Sequence, residues 1–193
     1  MYISFPKKGI RLNLLVPLGV SFLVLLNGLP AFIAIFLAAA VHEGGHILAA
    51  FLCGVSVDRF DIELWGGRMY YGGMQSYPKE LAISVGGIAA NLALAPLGLF
   101  SVFGIYGKLY FAACICYALV NLLPAKTLDG GEAARILLSM RYDEYAAFSA
   151  ISTLNSFSVL FMCGAGLVLS LLSGMNSSVI MLAVITVVLS LEK

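Results

Sequence analysis

Charge is what this sequence has least of: Asp, Glu, Lys and Arg make up 11% of its 193 residues, against about 25% in an ordinary soluble domain. With 61% of its residues hydrophobic and a mean hydropathy of +1.00, it lacks the polar side chains to cover a surface facing water. Its solvent is therefore lipid. A net charge of +1 gives no electrostatic basis for binding nucleic acid. Cysteine is sparse too. Cys53, Cys114, Cys116 and Cys163 lie inside apolar stretches and read as small hydrophobes, so no disulfide framework is implied. Cys114 and Cys116 would point about 200° apart on a helix, a poor metal pair. Histidine is rarest of the metal-binding types, with only His42 and His46.

What is abundant is long apolar runs: Leu12–Leu29, Ala31–Cys53, Leu81–Phe103, Leu109–Leu123, Ala146–Leu172 and Ser178–Leu191. A spanning helix needs about 20 such residues, with roughly 17 as a lower limit. The pattern predicts an all-α polytopic membrane protein of about six transmembrane helices, the fourth and sixth short enough to need their flanks. Lys7, Lys8 and Arg11 before the first run also suit a signal peptide. The run, however, exceeds the usual apolar region of about 7–15 residues, which favours a retained helix. No internal repeat or soluble domain is evident, so residues 1–193 read as a single membrane domain.

Basic residues orient the spans. With both termini in the cytoplasm, Lys7, Lys8, Arg11, Arg59, Arg68, Lys79, Lys126, Arg135, Arg141 and Lys193 fall on or near the inner side, and Lys108 alone falls outside. The polar patch Asp58–Glu80 alternates in the manner of strands, and Gly66-Gly67 is a turn signal between Phe60–Trp65 and Arg68–Tyr71. It reads either as a membrane-associated β-hairpin after the second helix or as an interfacial loop anchored by Trp65, Tyr70 and Tyr71. A hairpin edge could hold an extended substrate by strand addition.

His42-Glu43-Gly44-Gly45-His46 fits H-E-x-x-H. Residues four apart share a helix face, so both imidazoles can bind one tetrahedral metal. Glu43 stands beside the first ligand, where a general base takes a proton from water. The bland alternative is a pair of histidines that satisfy each other or a backbone carbonyl. Ionisable groups inside a span are costly and functional by default, which argues against it. Counted from Pro30, His42 lies about 18 Å along its helix at 1.5 Å per residue, in the cytosolic half, where water must arrive through a cavity between helices.

A catalytic zinc takes a third protein ligand and keeps one position open. Of the aspartates, Asp129 alone lies near the end of another span without an obvious solvent context. Asp129 and Glu132 also have capping-box spacing for a helix through Met140. Spacing leaves ligand and cap equally open for Asp129, with Glu132 as the rival ligand.

His42-Glu43-Gly44-Gly45-His46 in an early span, followed by Asn121-x-x-Pro124-x-x-x-Leu128-Asp129-Gly130 after a later one, resembles the site-2 proteases, the intramembrane zinc metalloproteases. Gly87-Ile88-Ala89-Ala90-Asn91 is similar to the family's Gly-x-x-x-Asn element, although a proline is common where Ile88 stands. The resemblance runs from about Val41 to Gly131. It implies one Zn²⁺ held by His42, His46 and Asp129, six helices with a membrane-associated hairpin, and a substrate-binding role for Asn91 and Asn121. By themselves those two amides suit interhelical hydrogen bonding equally well. The resemblance further implies a bacterial cell-membrane protease whose partner is a transmembrane or membrane-associated protein, with room for a regulatory membrane partner. Small size and the lack of added domains suit the sporulation branch, similar to stage IV sporulation protein FB. Two rivals remain: a prenyl-protein-processing zinc protease, which takes a glutamate as third ligand, and a metal-transporting membrane protein.

Overall fold

In the computed structural model the chain runs β1 (Tyr2–Phe5), β2 (Ile10–Asn13), α1 (Leu15–Leu52), β3 (Val57–Glu63), β4 (Gly66–Tyr71), α2 (Tyr77–Leu94), α3 (Gly104–Asn121), α4 (Asp129–Ser139) and α5 (Glu144–Leu172). Residues 2–5, 10–13, 15–63 and 66–172 are described. They divide into two compact units, residues 1–118 and 119–193.

In the first unit, the apolar runs on either side of Pro30 are both helical and meet in α1 at a break. Gly28 there has φ 76° and ψ 162°, outside helical space. Glycine reaches such a φ without steric cost. Proline, with no N–H to give a helix interior, suits the start of the segment that follows. Before the break, Leu15–Asn27 reaches only about 20 Å at 1.5 Å per residue, short of a hydrocarbon core of about 30 Å.

Four stretches are long and apolar enough to cross a membrane: Gly28–Leu52, Tyr77–Leu99, Ser101–Asn121 and Glu144–Val168. The second extends α2 through a 3-10 segment, Ala95–Leu99. Phe36, Phe51, Val102 and Phe161 on these stretches are each more than half exposed, surface that lipid can solvate and water cannot. Of the six expected spans, four are therefore described. The last, Ser178–Leu191, lies outside the described residues, as do Lys7 and Lys8. The first differs from expectation at its start, because Leu12 and Asn13 belong to strand β2.

The sheet has the order β1-β2-β3-β4. β1 pairs antiparallel with β2, β2 parallel with β3, and β3 antiparallel with β4. The β3–β4 hairpin is the one expected from the alternation, but its turn lies elsewhere. Glu63 pairs with Gly66 and Ile62 with Gly67, so both glycines belong to β4. Arg59 pairs with Tyr70 across the hairpin and lays its guanidinium 3.7 Å from that ring's centroid. One edge of the hairpin is covered by β2, which leaves β4 as the free edge among the described residues.

Small residues bring the helices of this unit together. Ala38, Ala95 and Cys114 form one buried cluster, and Ala50, Val55 and Ile83 form another. Short side chains let helix backbones approach closely where no hydrophobic force separates protein from lipid.

In the second unit, α4 packs on α5, and the Lys126 N–H donates to Asn155 Oδ1 at 3.0 Å. The loop before α4 folds tightly over its first turn. A Cβ at Gly130 would strike the Leu122 carbonyl, and one at Gly131 the Ala125 carbonyl.

Candidate active site

His42, Glu43 and His46 lie on α1 within the Gly28–Leu52 stretch. Two glycines inside a helix cost about 1 kcal/mol each relative to alanine, and packing explains at least one of them. A Cβ on Gly45 would overlap the Gly86 carbonyl and come within 2.5 Å of Ala90 Cβ on α2. A Cβ on Gly87 would run into His46 Nε2 and lie 2.8 Å from His42 Cε1. The glycines of α1 and α2 thus allow α2 to press directly against both imidazoles.

Both histidines are buried, 3% and 6% exposed. His46 Nδ1 lies 2.7 Å from the Ile83 carbonyl oxygen. A carbonyl only accepts, so Nδ1 carries the proton and Nε2 is left with a lone pair. That Nε2 lies 3.1 Å from His42 Nε2, with the rings edge to face at 84°. Two nitrogen ligands at 2.0–2.1 Å from a tetrahedral zinc are about 3.3 Å apart. The pair is therefore preset close to metal spacing, and a carbonyl on the far ring nitrogen is the usual outer support of a ligating histidine. His42 is steadied from two sides, by Asn91 Nδ2 at 3.3 Å from its Nδ1 and by the Tyr117 ring at 4.9 Å between centroids.

Glu43 is half-buried and accepts a hydrogen bond from the Gly67 N–H at 2.9 Å. The free-edge strand β4 therefore passes the glutamate with its backbone. Residue 67 has no room for a side chain, since a Cβ would overlap the Phe60 ring and lie 2.5 Å from Glu43 Oε2. The Gly66-Gly67 pair serves this close approach and not a turn.

In the second unit, Asp129 is the first residue of α4. The N-cap is Leu128, which makes no side-chain cap bond. Asp129 thus does not occupy the cap position that its spacing with Glu132 suggested. Glu132 is directed elsewhere, to Arg135 on the exposed face at 2.6 and 2.9 Å. Asn121 is the last residue of α3 and is half-buried. Among the described residues, one group of three metal-ligating side chains has its ligand atoms within 4.8 Å of one another: His42, His46 and Asp129. These three lie close enough to bind a metal, and two imidazoles with one carboxylate are a donor set that suits zinc.

No family model matches the sequence, and no curated protein matches it. Among solved structures, the chain is similar to the site-2 protease from Methanocaldococcus jannaschii, with a TM-score of 0.70 over 98% of this chain and 94% of that one. The chain has the site-2 protease fold. Sequence identity to that structure is 22%, so the likeness lies in the path of the backbone. Within the site-2 protease fold, three contacts escaped the sequence reading: Tyr117, the Ile83 carbonyl and the Gly67 N–H. Tyr117 was detectable, because it lies one turn before Asn121 on the same helix face. Backbone partners carry no residue signature and become visible only in the fold.

Proposed function

We propose that the chain is an intramembrane zinc metalloprotease that hydrolyses peptide bonds in or beside the transmembrane segments of membrane-bound proteins. The observation that carries this reading is the His42–His46 pair, two Nε2 atoms at 3.1 Å beside Glu43 on a helix fit to span the bilayer. The site-2 protease fold and the nearness of Asp129 support it. His42, His46 and Asp129 would hold the ion. Zinc, when bound, supplies a Lewis acid that polarises the scissile carbonyl and brings the pKa of water to about 7.

The chain's own groups do the remaining work. Glu43 takes a proton from the attacking water as its oxygen bonds to the carbonyl carbon. Glu43 then gives that proton to the amide nitrogen as the C–N bond breaks, leaving a carboxylate and an amine. The Gly67 N–H bonds to Oε1 and fixes the rotamer of this carboxylate. A helical substrate must first expose its carbonyls. An extended segment laid along the free edge of β4 would do so by strand addition and would run past Glu43. Asn121 at the end of α3 is a further candidate for contact with the substrate backbone.

The test uses purified protein in lipid vesicles with a single-span model substrate. Wild type cleaves it, a chelator stops cleavage, and Zn²⁺ restores it. Glu43→Gln keeps about one zinc per chain and loses at least 10²-fold in rate. Retained cleavage by Glu43→Gln refutes the mechanism. Comparing the membrane proteomes of cells carrying wild type and Glu43→Gln then identifies the natural substrate.

A further inference from the structure

The Asn91 amide sits between two helices with half of its hydrogen bonding unexplained. The residue is fully buried, its Nδ2 faces His42 Nδ1 at 3.3 Å, and its Oδ1 has no hydrogen-bond partner among the described residues. A buried acceptor left without a donor loses its hydration with nothing in return. An amide nitrogen only donates. In this orientation it requires a lone pair on His42 Nδ1, which puts the proton of a neutral imidazole on Nε2. That proton then points at the lone pair of His46 Nε2, and the two histidines close on each other. In this tautomer His42 Nε2 offers no lone pair to a metal.

A half-turn about the terminal bond of Asn91 exchanges oxygen and nitrogen with almost no change of shape. Oδ1 then accepts from His42 Nδ1–H and gains the donor it lacked. The lone pairs of both Nε2 atoms now face the same space from 3.1 Å apart, an arrangement that a cation bound between them stabilises.

We propose that Asn91 is a positioning residue for His42: its carbonyl oxygen holds the Nδ1 proton and thereby commits Nε2 to the metal. His46 receives the equivalent service from the Ile83 carbonyl, so each imidazole has one oxygen behind it. This inference rests on the metalloprotease reading and deepens it. It assigns Asn91 to the ligand's support.

The test reads metal binding instead of cleavage. Zinc affinity is measured by chelator competition on purified wild type, Asn91→Leu and Asn91→Asp. Leucine keeps the bulk without an acceptor, and aspartate keeps the acceptor. Asn91→Leu should bind zinc about 10–100-fold more weakly, while Asn91→Asp stays within a few-fold of wild type. A role confined to holding α1 against α2 would lower the melting temperature of the variants without separating their affinities. Equal affinities of folded Asn91→Leu and wild type overturn the inference, as does failure of aspartate to rescue. A second measurement needs no variant. In ¹⁵N-histidine spectra of zinc-loaded wild type, the proton on His42 should lie on Nδ1, and a proton on Nε2 overturns the proposal. Wild type that binds no zinc removes the metal reading itself; zinc-binding wild type with an unaffected Asn91→Leu removes this inference alone.

Discussion

Two carboxylates that look interchangeable in sequence are distinguished by what each touches. Asp129 heads α4 and lies with its ligand atom close to those of His42 and His46, whereas Glu132 forks onto Arg135 with nearly half of its side chain exposed. Asp129→Ala should therefore abolish stoichiometric zinc binding, measured by elemental analysis of purified protein. Glu132→Ala should leave zinc in place and cost no more than about 1 kcal/mol, the usual limit for an exposed ion pair. The reverse result would favour the glutamate-ligand class of membrane proteases. The shared face of His42 and His46, with Glu43 beside them, was legible from spacing alone, because a helix imposes its period on residues four apart. Asp129 was not, because spacing serves a cap and a ligand equally well. The structure takes the cap position away from Asp129, since Leu128 is the N-cap.

Between elements, the site depends on close backbone approach. α1 and α2 meet through Gly45 and Gly86, and β4 meets α1 through Gly67. Gly45→Val would push α2 away, since its branches have nowhere to go. Overpacking of this kind costs about 1–3 kcal/mol, seen as a lower melting temperature in detergent together with weakened zinc binding. Gly67→Ala acts on a different component. Its methyl would displace the Glu43 carboxylate from the Gly67 N–H, so cleavage should fall at least tenfold while zinc content stays at wild-type level. Loss of zinc along with activity would show that the hairpin supports the metal pair and not the base. The alternation of Val57–Tyr71 made a hairpin legible, but not its register. A Gly-Gly pair suits a turn and a crowded strand equally, and the crowding comes from Phe60 and Glu43, the latter more than twenty residues away in sequence. β1 and β2 were missed because each is four residues long, and the pairing of β2 with β3 spans the whole of α1.

For the molecule as a whole, the sorting of basic residues makes a prediction about sidedness. With both termini in the cytoplasm, a cysteine replacing Lys108 should react with a membrane-impermeant maleimide from outside intact cells. A cysteine replacing Arg141 should react only after permeabilisation. Labelling of both from the same side would refute the arrangement. The two positions lie at opposite ends of the stretch from Ser101–Asn121 to α4, so the experiment also tests how many crossings separate them.

Composition alone determined that lipid is this chain's solvent, since 11% charge cannot clothe a surface in water. Helical period alone determined that His42 and His46 share a face with Glu43 beside them. Both are local properties, set by residue type and by a repeat that the backbone carries everywhere. The tertiary structure decided what stands behind each of those groups: Ile83 and Asn91 at the imidazoles, Gly67 at the glutamate, and Asp129 as the carboxylate near the pair. These partners are distant in sequence, and two of them act through backbone atoms common to nearly every residue. Only packing of one helix on another and of a strand on a helix selects which of them reach the site.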